Sequence, residues 1–590
     1  MKEKTNIFKN LFWILESIFK FDKKYIFVLG FSIVITGVVP PITTLISQEI
    51  VNQIQIEAKW EIILLFVIVY VSIDLIGSII TYIMNYYMQK VLLSYNLYFS
   101  EMILKKAEKL SLKSYEDSET YDKITMAQYQ GNGKILSYLE TFSGIISSAI
   151  SLVSFSAILL SFKAWIVICI MVIPVIKFII SRKLNIMSFR LIKNRMNDTR
   201  KSSYIQYLLT HGDFNKELKT YNLFGYFIEI YKKYIKEFNR QDIDLEKKRS
   251  LWLSCVSIVE NVIDGSLFAY IAYLGLTRVI LIGNVMTYMR TVSQIKEQMV
   301  VILETFSTLN KESLFIDQLI AFFNLPELDN TQKAKSGAIK QIEVRNLSYR
   351  YSGKTEYALK NINLKINSNE IIAIVGQNGS GKTTLIKILM GFYEDYEGEI
   401  FVNGINLKEI DKQYYLTQIA TLFQDFVKYE ATFRENVAYG NLQIKDNDSK
   451  LYEIIKLFGL EKLVADEARG LDTQIGFWFD NGKQISLGQW QKVALSRAFA
   501  KEASMYILDE PNAALDPISE YNLAQLYFKL IRGNIGIIVA HKFNNFCKQV
   551  DKIIVMKDGK IESEGKHEEL IENSHLYKQL YEIQSGTIDS

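Results

Sequence analysis

Histidine and cysteine are scarce in this chain: four histidines and three cysteines occur in 590 residues. Cys169, Cys255 and Cys547 are scattered, without metal or disulfide spacing, which excludes a disulfide scaffold. No histidine stands at ligand spacing from a cysteine or another histidine. Strong charge of one sign is also missing. The net charge of +4 supplies no basic field of the kind that holds nucleic acid, so no nucleic-acid partner is expected. A cleaved signal is excluded as well, because the first apolar run is too long and no small-residue cleavage site follows it.

Apolar sequence is abundant. Hydrophobic residues make up 49% of the chain, and the mean hydropathy is +0.08, both high for a soluble protein. The length calls for two or more domains. The wealth of Ile, Lys, Asn and Tyr fits an AT-rich bacterial genome. Residues 25–47 (YIFVLGFSIVITGVVPPITTLIS) carry no charge and are long enough to cross hydrocarbon. Further spans are expected near 62–88, 142–162, 165–181 and 251–273. A sixth, near 284–306, is weaker and carries several polar residues. FWILESIFKF, ahead of the first span, reads as an amphipathic helix lying along the membrane surface. Lysine and arginine crowd the N-terminus and the segments 89–134 and 182–250, whereas the links between them are short or poor in charge. The positive-inside rule then puts both termini and both long connections in the cytoplasm of a bacterial cell. Those connections show helical periodicity, as in NLYFSEMILKKAEKL, and read as helices that continue out of the membrane.

Composition shifts at residue 325. The expected division is an α-helical transmembrane domain over 1–324, a linker over 325–339 and an α/β P-loop ATPase domain over 340–590. The apolar strand EIIAIV runs into GQNGSGKTT (376–384) and then LIKILM, a phosphate-binding loop in its strand–loop–helix setting. Gly376, Asn378, Gly379, Ser380, Gly381 and Thr384 belong to the loop that brings backbone N–H groups to the phosphates. Lys382 reaches the β- and γ-phosphates of ATP, and Thr383 offers a hydroxyl to Mg2+. A second apolar strand, MYILDE, ends in Asp509 and Glu510. The first is suited to holding Mg2+, the second to orienting or deprotonating the attacking water.

With these motifs in this order, the chain resembles the ABC transporter family over nearly its whole length. The resemblance implies further roles. Tyr351, in LSYRYSG, stands where an aromatic ring stacks on adenine. Gln424, in LFQDF, contacts Mg2+ and the transmembrane domain. Asp516, in AALDP, belongs to the D-loop, and His541, in IIVAHK, is the switch histidine at the γ-phosphate. Ser486, Gly488 and Gln489 match the signature that binds the γ-phosphate held by another subunit's P-loop, through a serine hydroxyl and aligned N–H groups at a helix start.

One signature position departs from the family: Leu487 replaces the first glycine of the usual LSGGQ. If that position needed positive φ, leucine would cost ~1–2 kcal/mol. At an early helical position the strain would be small, although the side chain could crowd the nucleotide. The other catalytic positions are intact, so an active and slowed site is expected rather than a dead one.

With one P-loop, one signature and six spans per chain, a composite site of this family requires two chains. A homodimer is the simplest assembly, and pairing with a paralogous half-transporter is the alternative. Cytoplasmic helical extensions resemble the exporter type. FQDFVKYEATFRENVAYG, YLLTHGDFNKELKTYN and LDTQIGFWFDNGKQIS are similar to the exporters of lanthipeptides, the nisin and subtilin type, with Trp478 and Phe479 characteristic of that group. The resemblance implies export of a peptide precursor and contact with the enzymes that dehydrate and cyclise it. Only 24 residues precede the first span, and they hold no Cys or His, so no leader-removing cysteine peptidase is expected. A lipid or drug exporter, and a non-transporting ATPase that senses or gates, are the other readings. The segment His211–Gly212–Asp213 resembles the second coupling helix, which would dock near Gln424 of the partner.

Charges inside the spans raise a separate question. Asp74 lies midway along the second span, and Glu260 and Asp264 share one face of the fifth. Arg290, Gln294 and Glu297 form a polar face on the sixth. These acids must avoid lipid. They are either a structural network paired with Arg290 or Lys296, or an acidic cavity wall that holds a cationic or polar peptide.

Overall fold

A computed structural model describes residues 7–327, 334–335, 337–511, 517–540 and 547–585. The chain divides into two units. The first comprises Met1–Lys109 and Ser118–Pro326, and the second Leu110–Asp117 and Glu327–Ser590.

The first unit is helical: α1 (Ile7–Phe21), α2 (Lys23–Gln55), α3 (Trp60–Glu108), then, after the second unit's short α4 (Leu112–Glu116), α5 (Ser118–Leu160), α6 (Ala164–Asn194), α7 (Met196–Thr210), α8 (Asn215–Thr220), α9 (Phe224–Leu276) and α10 (Ile282–Phe323). The amphipathic α1 buries Asn10, Leu11, Ile14 and Ile18, and leaves Phe8 and Phe12 exposed. The Asn10 amide donates to Ser313 and Asp317 of α10, tying the N-terminal helix to the last one. Helix α3 has 49 residues and α9 has 53. At 1.5 Å per residue each is more than about 70 Å long, over twice a hydrocarbon core, so both run on beyond the apolar stretch as their periodicity suggested.

Among the described residues, five helices are long and apolar enough to cross a membrane: Lys23–Gln55, Trp60–Glu108, Ile135–Leu160, Ala164–Ile192 and Phe224–Leu276. The expected sixth span lies in α10, where Arg290, Lys296 and Glu297 reduce its apolar character.

Helix α2 carries Pro40 and Pro41 in its interior. Proline has no N–H, so Pro41 leaves the carbonyl four residues back, that of Gly37, without its helical donor. The hydroxyl of Ser151 on α5 donates to that oxygen at 2.8 Å. The helices approach so closely that a Cβ on Gly37 would meet Ile150 Cγ2 at 2.8 Å. Thr36 and Ser147 add a hydroxyl pair at 2.8 Å.

Helices α6, α9 and α10 converge on a charge network. Lys296 bridges Glu260, at 3.0 Å, and Asp264, while Lys177 pairs with Glu260 as well. Two acids meet two lysines, and no side chain of the four is more than 23% exposed. Lys296 rather than Arg290 is the sixth-helix partner, and Lys177 was not foreseen. Gln294 donates to Glu297 instead, at 3.1 Å. Asp74 is exposed on α3. His211 and Gly212 are exposed at the turn between α7 and α8, and the Asp213 side chain lies outside the described residues.

Among the described residues, the second unit holds two sheets. β1 (Gln341–Tyr349), β2 (Leu359–Asn367), β4 (Glu397–Val402) and β5 (Ile405–Asn406) form an antiparallel sheet in the order β2-β1-β4-β5. A six-stranded sheet takes β3 (Ile371–Gly376), β6 (Ile419–Leu422), β7 (Met505–Asp509), β8 (Ile535–Val539), β9 (Lys552–Lys557) and β10 (Lys560–Gly565) in the order β10-β9-β3-β8-β7-β6. Strands β3, β7 and β8 are buried at every residue and pair in parallel, which is why they read as unbroken apolar runs. The phosphate loop leaves the end of β3, and Asp509 ends β7, so both stand at the carboxyl edge of one parallel sheet, where such folds bind ligands.

Residues Leu110–Asp117 belong to this unit although they lie between α3 and α5 in sequence. Leu110 is buried, Lys113 pairs with Asp395 at 2.7 Å, and Glu116 accepts hydrogen bonds from Tyr393 and Lys387.

Candidate nucleotide site

The phosphate loop is shaped by its glycines. Gly379 and Gly381 have φ of 79° and 102°, left-handed values that favour glycine. A Cβ on Gly381 would lie 2.7 Å from the Ala358 carbonyl oxygen. Gly381 then starts helix α11 (Lys382–Leu389), so its free N–H groups face the loop. Lys382 is buried, and its Nζ donates to the carbonyls of Gly376 at 2.8 Å and Gln377 at 2.9 Å. Burial lowers its pKa, and the charges of Glu510 and Asp509 partly offset that. A triphosphate would give this ammonium a stronger, charged partner.

Tyr351, Asn378, Gly379, Ser380, Gly381, Lys382, Thr383, Thr384, Gln424 and Glu510 line one open cleft of about 610 Å³. Residues chosen for spacing along the chain thus converge in space. Tyr351 is held by a 3.0 Å hydrogen bond between its hydroxyl and that of Thr384. The Gln424 amide donates to the Glu510 carboxylate at 3.1 Å. Glu510 has a φ of 50°, a left-handed backbone unusual for a glutamate. Its N–H donates to the Val539 carbonyl at 3.1 Å, and Gln491 donates to its carbonyl at 3.3 Å. The strained backbone is thereby fixed from both sides, with the carboxylate in the cleft. Gln491 escaped the motif reading because it lies on the buried face of the signature helix, two residues beyond Gln489.

Asp509 is 3% exposed, and its Oδ1 has no hydrogen-bond partner among the described residues. Burial, together with the Glu510 charge, pushes its carboxyl up to about 6, against a smaller opposing pull from Lys382. A buried carboxylate oxygen left without a donor is what a divalent cation would satisfy. Asp509, Thr383 and Gln424 are an all-oxygen donor set, which fits Mg2+.

The signature residues sit apart from this lining. The signature helix, Leu487–Ala500, has Ser486 as its N-cap, with a capping box: Gln489 N donates to Ser486 Oγ at 3.3 Å, and Ser486 N to Gln489 Oε1 at 2.8 Å. Leu487 is therefore the first helical residue. It is not among the residues with positive φ, and its side chain is 53% exposed. Of the two alternatives for this leucine, the structure matches the unstrained one. Asp516 and His541 lie outside the described residues.

Comparison with known proteins agrees with this arrangement. Residues 359–513 match the ABC transporter family. The chain is 36% identical over 590 residues to the subtilin transport ATP-binding protein SpaT of Bacillus subtilis, covering 99% of this chain and 94% of that protein. It is 32% identical to the nisin transport ATP-binding protein NisT of Lactococcus lactis subsp. lactis, covering 96% and 95%. A bacterial Atm1-family ABC exporter solved with ATP bound shares its fold, with a TM-score of 0.73 at 18% identity over 96% of this chain and 98% of that one. The P-loop cleft, the acid pair on a parallel strand and full-length relatives of this identity lead to one conclusion: the chain belongs to the ABC transporter family, whose members hydrolyse ATP to drive transport.

Proposed function

We propose that this chain is the half-transporter of a dimeric exporter that carries a lanthipeptide-type precursor out across the cytoplasmic membrane of a bacterium. The observation that carries the peptide is the full-length similarity to subtilin and nisin transport proteins. Two copies supply two composite sites, each pairing the P-loop of one chain with Ser486, Gly488 and Gln489 of the other. Six spans per chain, with α10 as the sixth, put both termini in the cytoplasm.

In each site the Tyr351 ring stacks on adenine, while Lys382 and the loop N–H groups hold the β- and γ-phosphates. Mg2+, held by Thr383, Gln424 and Asp509, would neutralise phosphate charge. Glu510 accepts a proton from water as the water oxygen bonds to the γ-phosphorus and the bond to the β-bridging oxygen breaks, releasing ADP and phosphate. Gln424 orients that carboxylate, and the family resemblance gives His541 the role of the switch histidine and Asp516 that of the D-loop. The strained Glu510 backbone and its bond to Gln424 support this assignment.

The test is reconstitution of the purified chain in vesicles. A lanthipeptide precursor should stimulate ATP hydrolysis and accumulate inside vesicles whose nucleotide sites face outward. Stimulation by lipid or by small drugs but not by the precursor would identify the alternative exporter class. Activity only with a paralogous chain present would identify a heterodimer.

A further inference from the structure

The nucleotide unit contains eight residues that no ATP-site motif covers, Leu110–Asp117, contributed by the connection between α3 and α5. Their contacts are specific. Both carboxylate oxygens of Glu116 accept from the Tyr393 hydroxyl, at 2.9 and 2.8 Å, and one also accepts from Lys387 at 3.1 Å. Lys387 lies on α11, the helix that the phosphate loop opens. Tyr393 is among the largest fully buried side chains. Its ring stacks on Tyr349, with centroids 5.1 Å apart and planes at 25°, and meets Tyr351 edge-on, at 5.8 Å and 83°. Tyr349 also meets Tyr351 edge-on, at 5.2 Å and 78°. Tyr351 therefore leans on a two-ring buttress, and the buttress is fastened at its far end by Glu116. Lys113, from the same connection, lines a recess of about 290 Å³ together with Tyr349, Tyr351 and Asp395.

We infer that Glu116 is a positioning residue of the ATP site, acting on the nucleoside half of the ligand through Tyr393 and Tyr351. A phenol hydroxyl donating to a carboxylate is a charge-assisted bond, stronger than a neutral one, and it anchors the hydroxyl end of the Tyr393 side chain. With Tyr393 held at that end, its edge-on contact keeps Tyr351 in place against the base. Edge-to-face and stacked ring contacts depend on geometry, so freeing Tyr393 costs Tyr351 its orientation and costs the base its platform. In Tyr393→Phe the phosphate loop is untouched, because the pair between Glu116 and Lys387 of α11 remains. The connection between α3 and α5 thus has a direct hold on base recognition. This rests on ATP hydrolysis by the family and not on which substrate is exported.

The test uses the full chain in lipid nanodiscs, with Glu116→Gln, Tyr393→Phe and the double variant. ATP turnover gives KM and kcat, and inorganic tripolyphosphate, which has phosphates and no base, is the competitor. KM for ATP should rise about three- to tenfold in each single variant, with kcat within about twofold of the parent. The double variant should be little worse than the singles, since both weaken or remove the same bond. The inhibition constant of tripolyphosphate should stay unchanged. A KM unchanged in both single variants overturns the inference. So does a tripolyphosphate constant that shifts in step with KM, because the effect would then run through the phosphate helix. If Glu116→Gln does not assemble, Tyr393→Phe, which removes one oxygen from a buried ring, decides by the same two readings.

Discussion

Replacing Lys296 by Met takes one cation out of the network that joins α6, α9 and α10. At 3.0 Å the attraction between Lys296 and Glu260 is about 5 kcal/mol gross with an effective dielectric constant of 20. Taking both charges out of water offsets most of that, so the intact network contributes little net stability. Its removal is not symmetrical with its formation. Without Lys296, Glu260 keeps Lys177, while Asp264 loses the cation that pairs with it. An acid buried without its cation costs about 3–5 kcal/mol. Thermal unfolding of Lys296→Met in lipid nanodiscs should therefore begin about 5 °C below the parent. Adding Asp264→Asn should recover about 1–3 kcal/mol of the loss, because those two residues are in contact. By the same argument Glu260→Gln with Asp264→Asn leaves two lysines unmatched, and assembly should fail before any specific loss of export appears. The charge balance favours a structural network over an acidic wall for cationic peptide. A midpoint within 1–2 °C of the parent for Lys296→Met would refute the reasoning, and so would normal assembly of the acid-neutralised variant with export alone lost.

Leu487→Gly should leave ATP hydrolysis steady or raise it, because the leucine is an unstrained first helical residue with an exposed side chain. A tenfold fall, about 1.4 kcal/mol in activation free energy, would show that the leucine is required. Glu510→Gln should bind ATP normally, lose turnover by orders of magnitude and trap a nucleotide-bound dimer. Near-normal turnover would exclude Glu510 as the hydrolytic base. Asp509 holds its proton up to about pH 6, so Mg2+ competes with that proton below it. Mg2+ affinity measured by ATP-binding titration should fall about tenfold per pH unit below that value, and Asp509→Asn should remove the slope. The raised pKa also means that this carboxyl favours the folded state at low pH, an advantage lost as pH climbs from the ordinary aspartate range through 6. Cysteines at positions 212 and 426 should cross-link between subunits if the turn at His211 and Gly212 docks on the partner's nucleotide unit, and a cross-link only within one subunit would count against that docking.

What the sequence made legible was contiguous. GQNGSGKTT and MYILDE each place a strand, its polar end and its chemistry within ten residues, so their convergence in one cleft could be expected. The long helices were readable because apolar period and charge continue past the span. Lys177 was missed because 83 residues separate it from Glu260, and pairing inside a helical bundle depends on rotation about each helix axis. The positive φ of Glu510 leaves no mark on composition, and Gln491 reads as an ordinary helical residue. Residues 110–117 look like a polar turn between two helical extensions. Only the three-dimensional placement of Tyr393 and Lys387 shows that Glu116 belongs with the nucleotide unit. For Leu487 the sequence offered two backbone conformations, and the capping box resolves them.

The bond from Ser151 to the Gly37 carbonyl has a kinematic consequence. Alternating access requires some helices to slide or tilt against others, and hydrocarbon offers no water to receive a carbonyl stripped of its donor. Separating α2 from α5 at this level would strand the oxygen that Pro41 already deprives of its helical donor, while Gly37 and Ile150 lost their close fit. Sliding or tilting α2 against α5 at this level therefore carries the cost of that unsatisfied oxygen. A seam that opens along faces whose backbone groups are satisfied within their own helix avoids that cost.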